Sequence, residues 1–357
     1  MKTVSIAAVP PALAEDRAPE WRSWFFTALG VLCFSFTFPM TRLSLRAFDP
    51  MMIALVRGAG AGAAALIYLL ASRSQIPTRR QLVRLGGAAI GMVVVFPILV
   101  STALKYVPAT HASVLGAILP LATAVFGVIR GRESVSRGFW VLAVLGTILI
   151  GLFSAYRSGF HSIEQADVFL IAAFIACSYG YAEGGLLARE MGGWQVICWA
   201  LVTVLPLELG FLAVYASHVG LRLGSAPAEA WAGLIYLTAI SQFIGFYFYY
   251  KGLAMGGIAK MSQVQLLLPF LAIFAAHWIL GEPIDAAVII GTVTITMIVV
   301  AGAAFRRAGE RSRQPRRWAC LQVWYKGSRR PKGLQITRTK SRAAERQTPN
   351  ADCAGER

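Results

Sequence analysis

Two stretches of 31 residues share one pattern of apolar and punctuating residues: ALKYVPATHASVLGAILPLATAVFGVIRGRE (Ala103–Glu133) and GLAMGGIAKMSQVQLLLPFLAIFAAHWILGE (Gly252–Glu282). A shift of 149 positions places five identical residues in register. In each stretch a proline lies midway along an apolar run and a glutamate follows thirteen residues later. A helix-capping residue, Ser136 or Asp285, comes three positions after each glutamate. The chain therefore contains an internal repeat.

The composition around this repeat is that of a membrane protein. Of the 357 residues, 57% are hydrophobic and 14% are charged, whereas a soluble domain carries about 25% charged residues. Ten apolar runs are long enough to cross a bilayer core of about 30 Å. They lie approximately at Trp24–Met40, Pro50–Ala71, Leu82–Leu104, Ala109–Ile129, Ser136–Tyr156, Ala166–Ala188, Trp194–Ser217, Glu229–Tyr250, Ala259–Leu280 and Asp285–Phe305. Strands are excluded because the runs are too long and too rich in Ala, Leu and Gly.

Ten runs and one repeat predict an all-α polytopic membrane protein of ten transmembrane helices. Because each half has five spans, an odd number, the halves insert with opposite orientation as inverted repeats. We assign residues 1–23 to a cytoplasmic leader, 24–157 to the first five-helix repeat and 166–305 to the second. Residues 306–357 form a basic tail, which we expect to be disordered and cytoplasmic.

The charge distribution sets the predicted orientation. Lys and Arg residues near the helix ends number 13 on the side of the leader and 5 on the other side, so the positive-inside rule places both termini in the cytoplasm. The protein is then a multi-pass protein of the inner (cytoplasmic) membrane. The tail carries +11 of the formal net charge of +17, and its basic residues can contact anionic lipid.

Three motifs point to a known family: the opening Asp49-Pro50 with Arg57 in the second run, the link ALKYVPA (Ala103–Ala109), and the proline-to-glutamate ending of each repeat. Their order, spacing and duplication over residues 24–305 resemble the drug/metabolite transporter superfamily, in particular the EamA-type ten-helix permeases. The resemblance implies a helical bundle whose central cavity is lined by the first four helices of each half. It also implies secondary transport, often export, of metabolites or drugs.

Two ionisable residues within the apolar runs are the main candidates for substrate binding, because charges at membrane depth are costly and face the interior. Arg57 is a cavity cation for an anionic or polar substrate group; the alternatives are a snorkelling arginine or a structural partner of a carboxylate. Glu183, in a segment that begins at Tyr179, is a substrate or proton site; the alternative is a neutral acid at a helix interface. We include Tyr179 in the candidate site, and we expect Glu183→Gln to insert normally but to lose transport.

A second group of candidates lies in the repeated helices. Lys260 and Gln263 share a helix face three residues apart, which we predict to line the cavity; the alternative for Lys260, as for its repeat equivalent His111, is an interfacial position at a helix start. Pro120 and Pro269 each remove a backbone hydrogen bond, so we assign them to helix kinks that bend during gating or only shape the helix.

Glu133 and Glu282 complete the repeat motif and are assigned a structural role. Each precedes a helix start, where the helix dipole favours a negative charge. Paired catalytic groups, metal-ligand motifs and phosphate-binding loops are not visible, so we expect no enzymatic activity, no catalytic residue, no metal and no cofactor.

The sequence as a whole favours a secondary transporter, more specifically an exporter of a small metabolite or drug-like solute. It would work by alternating access, with protons as the candidate coupling ion. The alternatives are a membrane-embedded enzyme and a receptor or scaffold without transport. The expected partners are the small-molecule substrate and membrane lipids, and no nucleic acid is expected; a homodimer is left open.

Overall fold

A computed structural model of the chain describes residues 20–131, 165–220 and 226–284, with isolated helical positions between 141 and 148 and between 286 and 297. Within these ranges the regular structure is helical, without strands. Eight helices are long and apolar enough to cross a membrane: α1 (Trp21–Ser44), α2 (Pro50–Ser72), α3 (Arg79–Ala103), α4 (Ala109–Gly131), α5 (Gln165–Met191), α6 (Gly193–His218), α7 (Ala228–Gly256) and α8 (Ile258–Leu280). The predicted all-α polytopic fold is confirmed.

The fifth and tenth predicted runs, Ser136–Tyr156 and Asp285–Phe305, fall largely outside the described residues, as do the leader and the tail. The count of ten helices therefore stays a prediction. Helices α1–α4 belong to the first half of the chain and α5–α8 to the second.

Local sequence chemistry fixes the starts of α2 and α3. The Asp49 carboxylate accepts a hydrogen bond from the Met51 amide at 3.0 Å, and Pro50 occupies the first helical turn, where its missing N–H is harmless. Thr78 and Gln81 form a reciprocal capping box at the start of α3. These caps satisfy amide groups that would otherwise lack partners at the helix ends.

The two repeated helices, α4 and α8, are both interrupted just before their prolines. The α4 helix divides into Ala109–Leu115 and Ile118–Gly131, with Pro120 in the first turn of the second part. In α8 a 3₁₀ segment, Ser262–Leu267, precedes the final part, in which Pro269 is the second residue. Because proline removes an amide donor and crowds the preceding turn, the regular hydrogen-bond ladder stops there.

Helices α3 and α7 contain π-helical segments at corresponding places. The segment in α3 is Ile90–Val95 and the segment in α7 is Tyr236–Ile244. The repeat shift of 149 positions brings 90–95 onto 239–244, inside the second segment. Such widened turns re-aim side chains and are frequent at functional sites.

The two halves pack against each other through most of their helices. Helix α1 lies along α7, α2 lies along α6, and α5 contacts both α3 and α4. A single buried cluster contains side chains of both halves, among them Phe34 and Leu85 of the first and Phe174 and Tyr249 of the second. Polar side chains on the helix faces that are packed against the other half therefore lie at the interface between the two halves.

The two ends of the bundle are named here after the predicted orientation. The end that holds Arg79, Gly131 and Met191 is the inner end, and the end that holds Pro50 and Leu280 is the outer end.

Candidate functional site

A buried polar cluster lies where α1 and α2 of the first half meet α7 of the second. The Arg57 side chain is 2% exposed, and its Nη2 donates to the Ser241 hydroxyl at 3.3 Å. The Ser241 and Thr37 hydroxyls are 2.8 Å apart. Thr37 follows a break in α1 at Phe36, and Ser241 belongs to the π-helical segment of α7. Two irregular turns thus bring hydroxyl groups to a buried guanidinium.

Several polar atoms of this region have no hydrogen-bond partner among the described residues. They are Arg57 Nε and Glu208 Oε2, and both polar atoms of Gln242, the neighbour of Ser241 along the chain, also lack a partner. Glu208 is 1% exposed and lies within electrostatic range of Arg57, although the two side chains form no ion pair shorter than 4.0 Å. A buried donor or acceptor without a partner costs about 1–3 kcal/mol. The cluster therefore contains a guanidinium and a carboxyl group that each keep a polar atom without a hydrogen-bond partner in the described part of the chain.

The position of Glu208 depends on the glycine beside Arg57. The Glu208 carboxylate lies against the α-carbon of Gly58, in the space that any β-carbon at that position would fill. Glycine at this position is therefore required for the approach of the carboxylate to α2.

The cluster lies well inside the membrane. At a rise of about 1.5 Å per residue, Arg57 is about 10 Å along α2 from Pro50, and Glu208 is about 15 Å along α6 from His218. Both distances start at the outer end. In a hydrocarbon core of about 30 Å, they correspond to one third to one half of the thickness.

Aromatic rings surround the same region. Phe34, Tyr181, Phe246 and Tyr249 form a continuous set with ring centroids 4.8–5.8 Å apart. All four are buried, and Tyr181 is within electrostatic range of Arg57. An amphipathic molecule placed here would meet charged groups on one side and aromatic faces on the other.

A second charged group lies nearer the inner end, around Glu183 of α5. Glu183 is completely buried, and both of its carboxylate oxygens accept hydrogen bonds from arginines. Arg84 of α3 donates through Nε, and Arg130 of α4 donates through Nε at 2.8 Å and Nη2 at 3.2 Å. Arg84 also pairs with Glu190 at 2.7 Å. We call these four residues the inner network.

The inner network gives Glu183 two arginine partners that were not predicted from the sequence. These arginines favour a carboxylate over the neutral acid of the alternative hypothesis, and the role of Glu183 as a substrate or proton site stays a prediction. Its contacts join α5 of the second half to α3 and α4 of the first. Tyr179, one turn earlier on α5, packs edge-on against Phe126 at 5.6 Å, on the side of α4.

A third polar contact joins the halves at the outer end. The Glu282 carboxylate accepts hydrogen bonds from the Ala109 and Thr110 amides at 2.9 and 2.8 Å, and Arg42 lies 3.9 Å away. We expected Glu282 to favour the start of the helix that follows it. The structure shows that it caps α4 of the other half. Because Glu282 follows the end of α8 and meets the start of α4, these repeated helices run antiparallel. Its repeat equivalent, Glu133, lies outside the described residues.

Lys260 and Gln263 lie away from the central cluster. Lys260 Nζ is 5.8 Å above the Trp24 ring near the start of α1, at the inner end. The Gln263 amide donates to the Ala259 carbonyl at 3.4 Å, within its own helix. The five predicted substrate residues thus fall in separate places: Arg57 in the central cluster, Glu183 and Tyr179 at the inner network, and Lys260 and Gln263 at the start of α8.

The structure consists of two helical halves with buried charged side chains between them. The sequence matches one protein family twice, once in each half. The model of the EamA-like transporter family matches residues 21–155 and again residues 165–302. The chain belongs to the EamA-like transporter family. The predicted membership of the drug/metabolite transporter superfamily is confirmed.

Named relatives of this EamA-like transporter include an uncharacterized transporter, YdeK, of Bacillus subtilis (strain 168). It is 40% identical over 284 residues, which cover 80% of this chain and 98% of the relative. A probable terminal-alkyne amino-acid exporter of Streptantibioticus cattleyicolor is 26% identical over 285 residues, or 76% of this chain and 90% of that protein. Protein PecM of Dickeya dadantii (strain 3937) is 23% identical over 267 residues, or 72% of this chain and 84% of that protein.

A crystal structure of another protein aligns with this EamA-like transporter at a TM-score of 0.59 and 17% identity. The alignment covers 81% of this chain and 98% of the other. At that identity the likeness supports the fold alone.

Sequence reasoning missed several polar residues of the transporter. Arg84 and Arg130 lie at the edges of apolar runs, so their positions suggested charged residues of the loops. Asp167, in the first turn of α5, forms a buried pair with His111, with Nε2 and Oδ1 2.7 Å apart. From the sequence, an acidic residue at a helix start is expected to interact favourably with the helix dipole. The contact with His111 of α4 becomes visible only in the fold.

Proposed function

We propose that this transporter exports a small amphipathic solute that carries both a carboxylate and an ammonium group. The observation that supports the proposal is the buried pair of Arg57 and Glu208 between the two halves, in which each side chain keeps a polar atom without a hydrogen-bond partner among the described residues. A solute with two opposite charges would satisfy both groups at once, whereas a singly charged solute would leave one of them without a partner.

The chemistry of the cluster fits such a solute group by group. The planar guanidinium of Arg57 suits a carboxylate, with which it forms charge-assisted hydrogen bonds. The Glu208 carboxylate suits an ammonium group, and the Gln242 amide adds a donor and an acceptor. The aromatic set around Phe34 and Tyr181 suits an apolar side chain. One relative carries the name of a probable amino-acid exporter, a solute class with this arrangement of charges.

Alternating access would require the two ends of the bundle to open in turn. The inner network closes contacts between the halves at one end, and Glu282 does so at the other. In this structure both sets of contacts are formed, and the central cluster between them is buried. We assign the candidate proton-coupling role to Glu208 rather than Glu183, because two arginines already neutralise Glu183.

The proposal also places the transporter in the cytoplasmic membrane with both termini inside. The excess of Lys and Arg near the helix ends on that side supports this orientation. Export would then run from the inner end to the outer end.

A matched set of three solutes tests the substrate class. Purified transporter in proteoliposomes would be offered phenylalanine, phenethylamine and 3-phenylpropionate, which share one ring and differ in their charged groups. We expect flux of phenylalanine above that of both singly charged analogues. Equal flux of all three would overturn the two-charge proposal. Export corresponds to uptake into inside-out vesicles, so uptake only into right-side-out vesicles would overturn the direction of export.

A further inference from the structure

A basic cleft lies at the inner end, between α3 and α4. Its volume is about 930 Å³, and it is lined by Arg79, Arg80, Val83, Arg84, Ile129, Arg130 and Leu186. It is separate from the central cluster, because the residues of the central cluster are absent from its lining. Four arginines therefore converge on one cleft that lies apart from the proposed substrate-binding cluster.

The arginines of the cleft keep hydrogen-bond donors for a ligand. Arg84 uses Nε and Nη1 for Glu183 and Glu190, and Arg130 uses Nε and Nη2 for Glu183. Arg84 Nη2 and Arg130 Nη1 make no hydrogen bond within the described ranges. Arg79 and Arg80 make none there through their guanidinium groups. Glu183 is fully buried behind the arginines, so the lining of the cleft is cationic.

The apolar part of the lining faces lipid. Val83 is 71% exposed and Ile129 is 63% exposed. Large apolar side chains that are exposed on a membrane-spanning helix contact acyl chains. Arg79 and Arg80 begin α3, at the level where a helix enters the headgroup region. The cleft thus presents Arg79 and Arg80 at headgroup level and the exposed side chains of Val83 and Ile129 next to Arg84 and Arg130.

We propose that this cleft binds an anionic phospholipid of the leaflet at the inner end. Its phosphate would accept hydrogen bonds from the arginines, and its acyl chains would lie against Val83 and Ile129. Basic pockets between transmembrane helices are suited to anionic headgroups. A soluble phosphate or carboxylate would share the charge chemistry but would leave the apolar residues uncovered.

The test uses detergent-purified full-length protein and dioctanoyl-phosphatidylglycerol, with bound lipid counted by native mass spectrometry. The variant is Arg79→Gln with Arg80→Gln, which changes exposed residues outside the inner network. We expect its affinity for this lipid to fall by about 10-fold, because each basic residue near an anionic headgroup contributes measurably. Dioctanoyl-phosphatidylcholine, with the same chains and no net charge, should bind the two proteins equally and weakly.

A matched control separates a built site from a generally basic surface. Arg22→Gln with Arg73→Gln removes two exposed arginines near the inner end that do not line the cleft. We expect this control to retain the affinity of the unmodified protein. Equal losses in both double variants would overturn the site. Binding of glycerol 3-phosphate as strong as that of the lipid would overturn the lipid assignment. The variant Val83→Gln should weaken the binding of the lipid and leave the binding of glycerol 3-phosphate unchanged.

Discussion

The central cluster and the inner network both place charges inside the membrane, yet they differ in how those charges are satisfied. Every carboxylate oxygen of Glu183 has an arginine donor, whereas Arg57 and Glu208 each keep a polar atom without a partner in the described part of the chain. A satisfied charge holds helices together, and an unsatisfied one is available to a solute. The contrast assigns stability to the inner network and transport to the central cluster.

The largest expected effect is on stability, from the variant Glu183→Gln. It would leave two arginines facing a neutral amide, and breaking a buried ion pair costs about 3–5 kcal/mol. We expect a large drop in the thermal unfolding temperature of the detergent-purified protein. This outcome differs from the sequence expectation, in which the variant inserts normally and loses only transport.

The double variant Glu183→Gln with Arg130→Gln provides the control for that effect. It removes Arg130, whose ion pair is lost in the single variant, whereas Arg84 keeps its pair with Glu190. We expect it to recover part of the lost stability, as measured in a double-mutant cycle. A single variant as stable as the unmodified protein would refute the structural role of the inner network.

The next effect is on transport, from the variant Arg57→Gln. Loss of charge-assisted hydrogen bonds of about 1.5–3 kcal/mol predicts a decrease of about 10- to 100-fold in apparent substrate affinity. Stability should change little, because the variant also removes a buried guanidinium whose Nε lacks a partner. Flux in proteoliposomes and the unfolding temperature, measured on the same preparation, would show whether the two properties separate.

A smaller effect is expected from Gly58→Ala. The added β-carbon would occupy the space of the Glu208 carboxylate, and overpacking of this kind costs about 1–3 kcal/mol. We expect slower flux with correct membrane insertion. Gly210→Ala, on the same helix as Glu208, adds its β-carbon where no atom lies within 4 Å, so it should leave flux unchanged. Equal effects of the two substitutions would contradict the proposed placement of Glu208.

The smallest effect is expected from Arg46→Gln at the outer end. Arg46 pairs with Glu229 at 3.1 Å, but the two side chains are 52% and 65% exposed. Exposed ion pairs contribute about 0–1 kcal/mol. We expect an unfolding temperature within error of that of the unmodified protein. A clearly lower unfolding temperature would show that exposed ion pairs stabilise this bundle as buried ones do.

Most of the fold could be predicted from the sequence, because the signals are long and repetitive. Apolar runs of about 20 residues permit few structures in a bilayer, and the Asp49-Pro50 start of α2 is a short-range capping pattern that the structure reproduces. Family membership followed from the order and duplication of motifs.

The candidate site was less predictable, because its residues come together through packing. Arg57 was identified because a charge in an apolar run is rare. The uncharged Ser241 and Gln242 were not, because their orientation depends on a π-helical segment that has no clear sequence pattern. Glu183 was identified as important, but its arginine partners belong to other helices, 99 and 53 residues away along the chain.

The Glu282 contact has a consequence for the way the chain is completed. Two amide groups at the first turn of α4 obtain their acceptors from a residue 173 and 172 positions later. Before Glu282 is synthesised and docked, those amides lack the carboxylate acceptor that they have in the complete bundle. The first turn of α4 therefore obtains these two protein acceptors only after Glu282 has been synthesised and docked.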